Sequence, residues 1–259
     1  MITLDSLSGK KVNMHTHTYR CQHATGEDRA YVETAIEAGY DVLGFSDHMP
    51  HVFDRDYVSR IRMTMDELEG YVTSILDLKK EYKKDIEIYC GFEAEYFPCS
   101  FHKTMEKLSP YPIDYFILGQ HFVDDEIPYT YVARNGQTEE SMKAYVDRVI
   151  EALALDQFLY VAHPDLINFS EDDAIYQKHM LRLANELKRR NIPVEINVCG
   201  YCDGRHYPSD RFIDLALKNG NTFIMGVDAH APEELLDFHS YHTLVQKVEG
   251  RGGIIHNKL

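Results

Sequence analysis

Seven histidines stand where apolar, β-rich runs end. His15, His17 and His23 crowd into NMHTHTYRCQH, and His48, His121, His163 and His230 fall in FSDH, LGQH, AHPD and GVDAH. Glu93 in GFEAE and Asp228 in GVDAH add carboxylates at matching places. Imidazole and carboxylate donors without a clear thiolate set suit Zn, Mn or Fe rather than Ca or Mg. Nine such groups exceed the needs of one ion. They suit two or three divalent ions, and a carboxylate such as Glu93 can bridge a pair. Any one strand-end histidine is ordinarily a satisfied polar residue, so it is the convergent set that points to a metal centre. The cysteines (Cys21, Cys90, Cys99, Cys199, Cys202) are odd in number and scattered, which does not suggest a disulfide framework. The lone Cys199–Cys202 CxxC reads as a pair of free thiols.

Short β-rich runs alternating with amphipathic helical ones must position these groups, the pattern of βα units on a parallel sheet. The runs are KVNMH, DVLGFSDH, IEIYCGFEAEY, DYFILGQH, FLYVAHP, IPVEINV and TFIMGVDAH, each followed by a helical segment. Gly39 is expected to stop the first helix, and Thr64 with Glu67 forms a capping-box pattern before the second. Seven units in one domain, residues 1–259, predict an α/β fold, a distorted (β/α)7 TIM-like barrel. An open doubly wound sheet is the alternative, but no GxGxxG or P-loop spacing supports it.

In either fold the C-terminal strand ends form the active face. Side chains alternate along a strand, so His15 and His17 are expected to share a face, with Val12 and Met14 turned to the helices. Asp228 and His230 repeat that pair on the last strand, next to the first in a closed barrel. Gly91, Gly119 and Gly226 each precede Glu93, His121 or Asp228 by two, which would clear room below these groups.

The 27 basic against 42 acidic residues give a net charge of −15, which argues against a nucleic-acid partner. No apolar run approaches the roughly 18 residues of a membrane span, and the N-terminus lacks the order of a signal peptide. A cytoplasmic enzyme is expected.

In their order, HTHTYRCQH, FSDH, GFEAE, LGQH, AHPD and GVDAH resemble the motifs of the polymerase and histidinol phosphatase (PHP) superfamily, across nearly the whole chain. The resemblance implies a trinuclear centre. His15 and His17 would share one ion with Glu93 and Asp228. Glu93, as bridge, would hold a second ion with His121 and His163, and His23, His48 and His230 a third. Within the superfamily the likeness is to free-standing histidinol-phosphate phosphatases, whose sixth strand resembles EIN followed by Arg and Tyr-Pro. Here that stretch is EINVCGYCDGRHYP, which makes Arg205 the candidate phosphate clamp, since a guanidinium fork binds phosphate oxygens bidentately. Some members carry another arginine after the fifth-strand histidine. This chain offers Asn168 there, and Arg60 or Arg62 in SRIRM is the expected substitute.

The implied reaction is hydrolysis of a small phosphomonoester, L-histidinol phosphate, to L-histidinol and phosphate in histidine biosynthesis. Water activated by the metal would attack phosphorus, Arg205 would stabilise phosphoryl charge, and Asp228 or His230 would handle the proton of the leaving alcohol. Action on another small phosphate or nucleotide, or a non-catalytic metal-binding role, are the alternatives. An amidohydrolase-type barrel also begins with HxH but needs neither His23 nor the SDH motif. Asp47 has the opposite parity to His48 and is expected to support a ligand. Glu95 shares parity with Glu93 and either orients a ligand or lies at the surface. Asp124, Asp125 and Glu126 are expected to form a solvated acidic loop.

Overall fold

The computed structural model describes residues 2–53, 56–128 and 130–257. Four strands, β1 (Val12–Asn13), β2 (Val42–Phe45), β3 (Glu87–Ala94) and β4 (Tyr115–Leu118), pair in parallel in chain order. β5 (Val194–Asn197) and β6 (Phe223–Gly226) form a second parallel pair. Val161 joins the two sets by bridging Leu118 on one side and Val194 on the other. The fifth unit of the sequence pattern is thus present as a single bridge. Its strand is cut short because His163 takes a left-handed φ of 30° and sends its N–H to Glu195 Oε2, 2.7 Å away.

Helices follow every unit: α1 (Asp28–Glu37), α2 (Leu68–Glu81), α3 (Phe101–Leu108), α4 (Glu139–Leu153), α5 (Asp173–Arg189), α6 (Val198–Cys202), α7 (Asp210–Asn219) and α8 (Phe238–Glu249). Gly39 takes a φ of 76° just past α1, the left-handed conformation glycine adopts freely. Thr64 N–H donates to Glu67 Oε2 at 2.8 Å, but α2 proper begins four residues later than the capping pattern suggested. α5 is capped by Asp172, whose Oδ1 accepts from the N–H groups of Ala174 and Ile175. The outward residues of the strands, Leu43, Phe45, Ile88, Cys90, Phe92, Ile196 and Met225 among them, pack into the main core with the buried helix faces.

A second, smaller apolar cluster fills the barrel floor and includes Val12, Met14, Val42, Tyr115, Ile117, Tyr160 and Ile224. Val12 and Met14 therefore face inward, correcting the parity expectation that put them against helices. β1 is only two residues long, so alternation ends at Asn13. The Asn13 side chain accepts from His15 N–H and Val227 N–H and donates to Thr16 Oγ1, which turns the chain so that Met14 and His15 both point inward. Tyr115 crosses the floor to donate its hydroxyl to Met14 O at 3.0 Å.

Contacts above and below the Val227–Asn13 hydrogen bond close the ring between β6 and β1. Above, Thr16 bridges Ala229, with His17 N–H donating to Ala229 O at 2.9 Å. Below, Asn257 donates to Val12 O and Met225 O and accepts from Met225 N–H. The result is a distorted (β/α)7 barrel whose strand C-termini share one rim.

Candidate metal centre

All nine predicted donors gather at that rim. His15 Nε2 and His17 Nε2 lie 3.2 and 3.0 Å from Asp228 Oδ1 and 3.3 Å from each other. Glu93 sits between two groups. Its Oε1 is 2.8 Å from His163 Nε2 and 3.7 Å from His121 Nε2, and its Oε2 is 2.9 Å from His48 Nδ1. The His23 ring centroid lies 5.3 Å from that of His48 and 4.9 Å from that of His230. His17 stacks on His230 at 4.2 Å.

Both oxygens of Glu93, Asp228 Oδ1 and His48 Nδ1 are buried without a hydrogen-bond partner. They approach neighbouring donors closely yet aim past them, as ligand atoms do around a common cation. Unpaired buried carboxylate oxygens are otherwise costly. Asp228 and His163 also hold left-handed backbone, with φ of 59° and 30°, a strain that non-glycine residues keep mainly at functional sites.

Donor atoms of His15, His17 and Asp228 lie within 4.8 Å of one another, as do those of His15, Glu93 and His163, and of His17, His48 and His230. A fourth such group joins Cys21, His23 and His230, so a buried sulfur stands beside His23, a donor that the sequence pattern did not single out. The arrangement keeps the sequence-based grouping in outline but places His17 between the first and third groups.

The charges follow from the packing. Burial alone would lower the His15 pKa, but Asp228, Glu195 and Glu93 outweigh it and raise it to about 9. Burial would raise Glu93 and Asp228, yet the surrounding imidazoles hold both well below the usual carboxylate range. Burial pushes His230 down to about 3, helped by His17, and drives His48 well down too. The carboxylates, His48 and His230 thus already hold the forms that bind metal, while His15 and His17, whose pKa values the neighbouring carboxylates raise, must give up a proton to ligate.

A supporting layer orients the ring. His15 Nδ1–H donates to Glu195 Oε1 at 2.7 Å, and Glu195 Oε2 also accepts from Asn197 Nδ2 at 3.0 Å. A carboxylate behind a ligating histidine fixes its tautomer. Glu195 was not singled out in the sequence. The signal was available: it shares the inward face with Asn197, and an added Cβ at Gly226 would collide with its carboxylate. Asp47 supports His17 at 3.4 Å and accepts from Thr18 Oγ1, as its parity implied. Glu95 orients the His121 segment by accepting from His121 N–H at 2.6 Å and Phe122 N–H at 2.9 Å.

Two expectations are corrected here. Arg62 is 1% exposed and spent on Glu95, on Glu126 Oε2 at 3.2 Å and on Met49 O at 3.0 Å, so it cannot clamp a phosphate. Glu126 is accordingly buried, not part of a solvated loop, and also accepts from Ser59 Oγ at 2.6 Å. Asp124 alone keeps the surface role, paired with Arg148.

Arg205 does reach the site. It lines a cavity of about 650 Å³ together with Arg60, Tyr131, Tyr207, Glu234 and the metal-type side chains. Its Nη1 donates to Tyr207 Oη at 2.7 Å and its Nε to Asp203 Oδ2 at 2.9 Å. Arg60, exposed at the cavity wall, is the second cation there. Cys199 and Cys202 are free thiols, and burial pushes both thiol pKa values up.

A histidine–carboxylate centre with arginine at its mouth, on the C-terminal rim of a (β/α)7 barrel, defines the class of metal-dependent phosphoesterases. The family model of the PHP domain matches residues 13–198, and the chain belongs to that family. It is 30% identical over 253 residues to the Histidinol-phosphatase of Bacillus subtilis, covering 85% of this chain and 94% of that one. It is 28% identical over 231 residues to a Deinococcus radiodurans protein named "Probable histidinol-phosphatase", covering 85% and 86%. A crystal structure of histidinol phosphate phosphatase from Lactococcus lactis, complexed with zinc, L-histidinol and phosphate, shares the fold. It has a TM-score of 0.74 at 20% identity and 95% coverage of both chains. No helix among the described residues is long and apolar enough to cross a membrane.

Proposed function

We propose that this chain is a metal-dependent phosphatase that hydrolyses L-histidinol phosphate to L-histidinol and phosphate, a step of histidine biosynthesis. The observation that carries this reading is the unpaired, buried pair of Glu93 oxygens and Asp228 Oδ1, ringed by seven imidazoles in a cavity that Arg205 also lines. The names of the curated relatives supply the substrate.

Two or three divalent ions (Zn, Mn or Fe) would be held by His15, His17, His23, His48, Glu93, His121, His163, Asp228 and His230. Bound there, such ions supply Lewis-acid activation of water and neutralise charge at phosphorus. Arg205, pre-set by Asp203 and Tyr207, binds the phosphoryl oxygens. Arg60 takes the second clamp position that Arg62 cannot fill. Glu195 and Asp47 hold His15 and His17 in fixed orientation through their Nδ1 atoms, leaving Nε2 for the metal. Asp228 and His230 line the same cavity as Arg205, where either would pass a proton to the leaving alkoxide.

Chelation followed by restoration of Zn, Mn or Fe, with a phosphomonoester assay at each stage, tests the reading. Activity should vanish and return. Activity that survives complete metal removal overturns it.

A further inference from the structure

The cavity wall presents a carboxylate that neither the metal centre nor the arginines engage. Glu234 belongs to the 3₁₀ turn Pro232–Leu236 that follows the last strand. Its Oε2 accepts from His230 N–H at 2.6 Å and Ala231 N–H at 3.2 Å, which pins the carboxylate in place. Oε1 has no hydrogen-bond partner among the described residues, and the side chain lines the same cavity as Arg60 and Arg205. The other acids of that cavity already face a positive or metal-type partner. Glu93 and Asp228 lie within the histidine ring, and Asp203 Oδ2 accepts from Arg205 Nε at 2.9 Å and Nη2 at 2.5 Å.

Two arginines account for a phosphate. A fixed carboxylate with a free oxygen beside them is matched instead to a positive group on the same small molecule. We propose that Glu234 Oε1 binds the ammonium of an amino-alcohol phosphate and so sets the preference of the site for aminated phosphate esters. This deepens the histidinol-phosphate reading and rests on it: that substrate carries its ammonium on the carbon next to the esterified CH₂, within reach of a group flanking the phosphate site.

Glu234→Gln separates the two jobs of this side chain. The amide keeps a carbonyl oxygen to accept from His230 and Ala231, while an NH₂ replaces the free oxygen and faces the ammonium unfavourably. Steady-state kinetics would be measured for the metal-loaded wild type and E234Q on L-histidinol phosphate and on its deamino analogue, 3-(imidazol-4-yl)propyl phosphate. The wild type should prefer the aminated ester, and in E234Q the ratio of the two kcat/KM values should fall about tenfold or more, chiefly through KM for the aminated ester, as loss of a charge-assisted bond requires. An unchanged ratio overturns the assignment, including the case in which both rates fall together, which would make Glu234 a support for the His230 backbone. Wild type active on both esters without preference also overturns it, and leaves the histidinol-phosphate reading standing. Wild type inactive on L-histidinol phosphate but active on other phosphomonoesters overturns that reading, and the role of Glu234 with it.

Discussion

Arg205 and Arg62 show how little an arginine's residue type says without its surroundings. Arg205 keeps its guanidinium at the cavity with Tyr207 and Asp203 as props. Arg205→Ala should therefore raise KM for phosphate esters more than about tenfold, in line with the ~1.5–3 kcal/mol of a charge-assisted hydrogen bond. A KM that does not move would remove Arg205 from the site. Arg62 is the reverse case, buried between Glu95 and Glu126. Arg62→Ala leaves two buried carboxylates unpaired and should cost about 3–5 kcal/mol of stability in urea unfolding. Burial would raise the Glu95 pKa, but Arg62 and His121 outweigh it and hold it at about 2. The sign follows: a depressed carboxylate contributes fully above its unfolded value of 4.5 and loses that contribution as pH falls toward 2. Unfolding free energies measured from pH 6 downward should fall through that window in the wild type, with a shallower slope in the Arg62 variant. The nine donors were legible because strand-end position and spacing depend on local sequence. The fate of Arg62 was not, since its partners lie 33 and 64 residues away and only folding brings them to it.

At the scale of elements, the barrel rim works because small residues sit beneath large polar ones. An added Cβ at Gly119 would occupy the space of the Glu93 carboxylate, and one at Gly91 would strike the Tyr115 ring. Gly119→Ala should displace Glu93, and metal content or activity should drop by about 10–100-fold, the usual scale for disturbing a ligand's surroundings. Elemental analysis beside circular dichroism distinguishes this from unfolding, and retained metal with retained activity would contradict it. The glycine spacing was visible in the sequence, but the group that each one accommodates was not: Gly91 makes room for Tyr115 rather than Glu93, Gly119 for Glu93 rather than His121, and Gly226 for Glu195 rather than Asp228. Strand alternation misled at β1 for a related reason. A two-residue strand cannot enforce a period of two, and the Asn13 side chain sets the direction of the chain instead. The fifth strand shrank to Val161 because His163 needs a left-handed backbone to present its ring.

For the whole molecule, seven βα units bring first and last strands together, and the site exists only because that ring closes. His15 and His17 come from one side of the seam, Asp228 and His230 from the other, joined by the Thr16–Ala229 bridge above and Asn257 below. Ions bound across this seam should stabilise the fold by mass action, so chelation should lower the melting temperature and the same metal should restore it. A melting temperature indifferent to chelation would place the ions away from the seam. The central claim is that the rim is a multinuclear centre for histidinol phosphate hydrolysis. The most direct test is kcat/KM for L-histidinol phosphate against other phosphomonoesters, with elemental analysis of the same sample. Two or three divalent ions per chain and a clear preference for L-histidinol phosphate are expected. A metal-free sample that retains its rate, or a fully loaded one that does not hydrolyse L-histidinol phosphate, would contradict the claim.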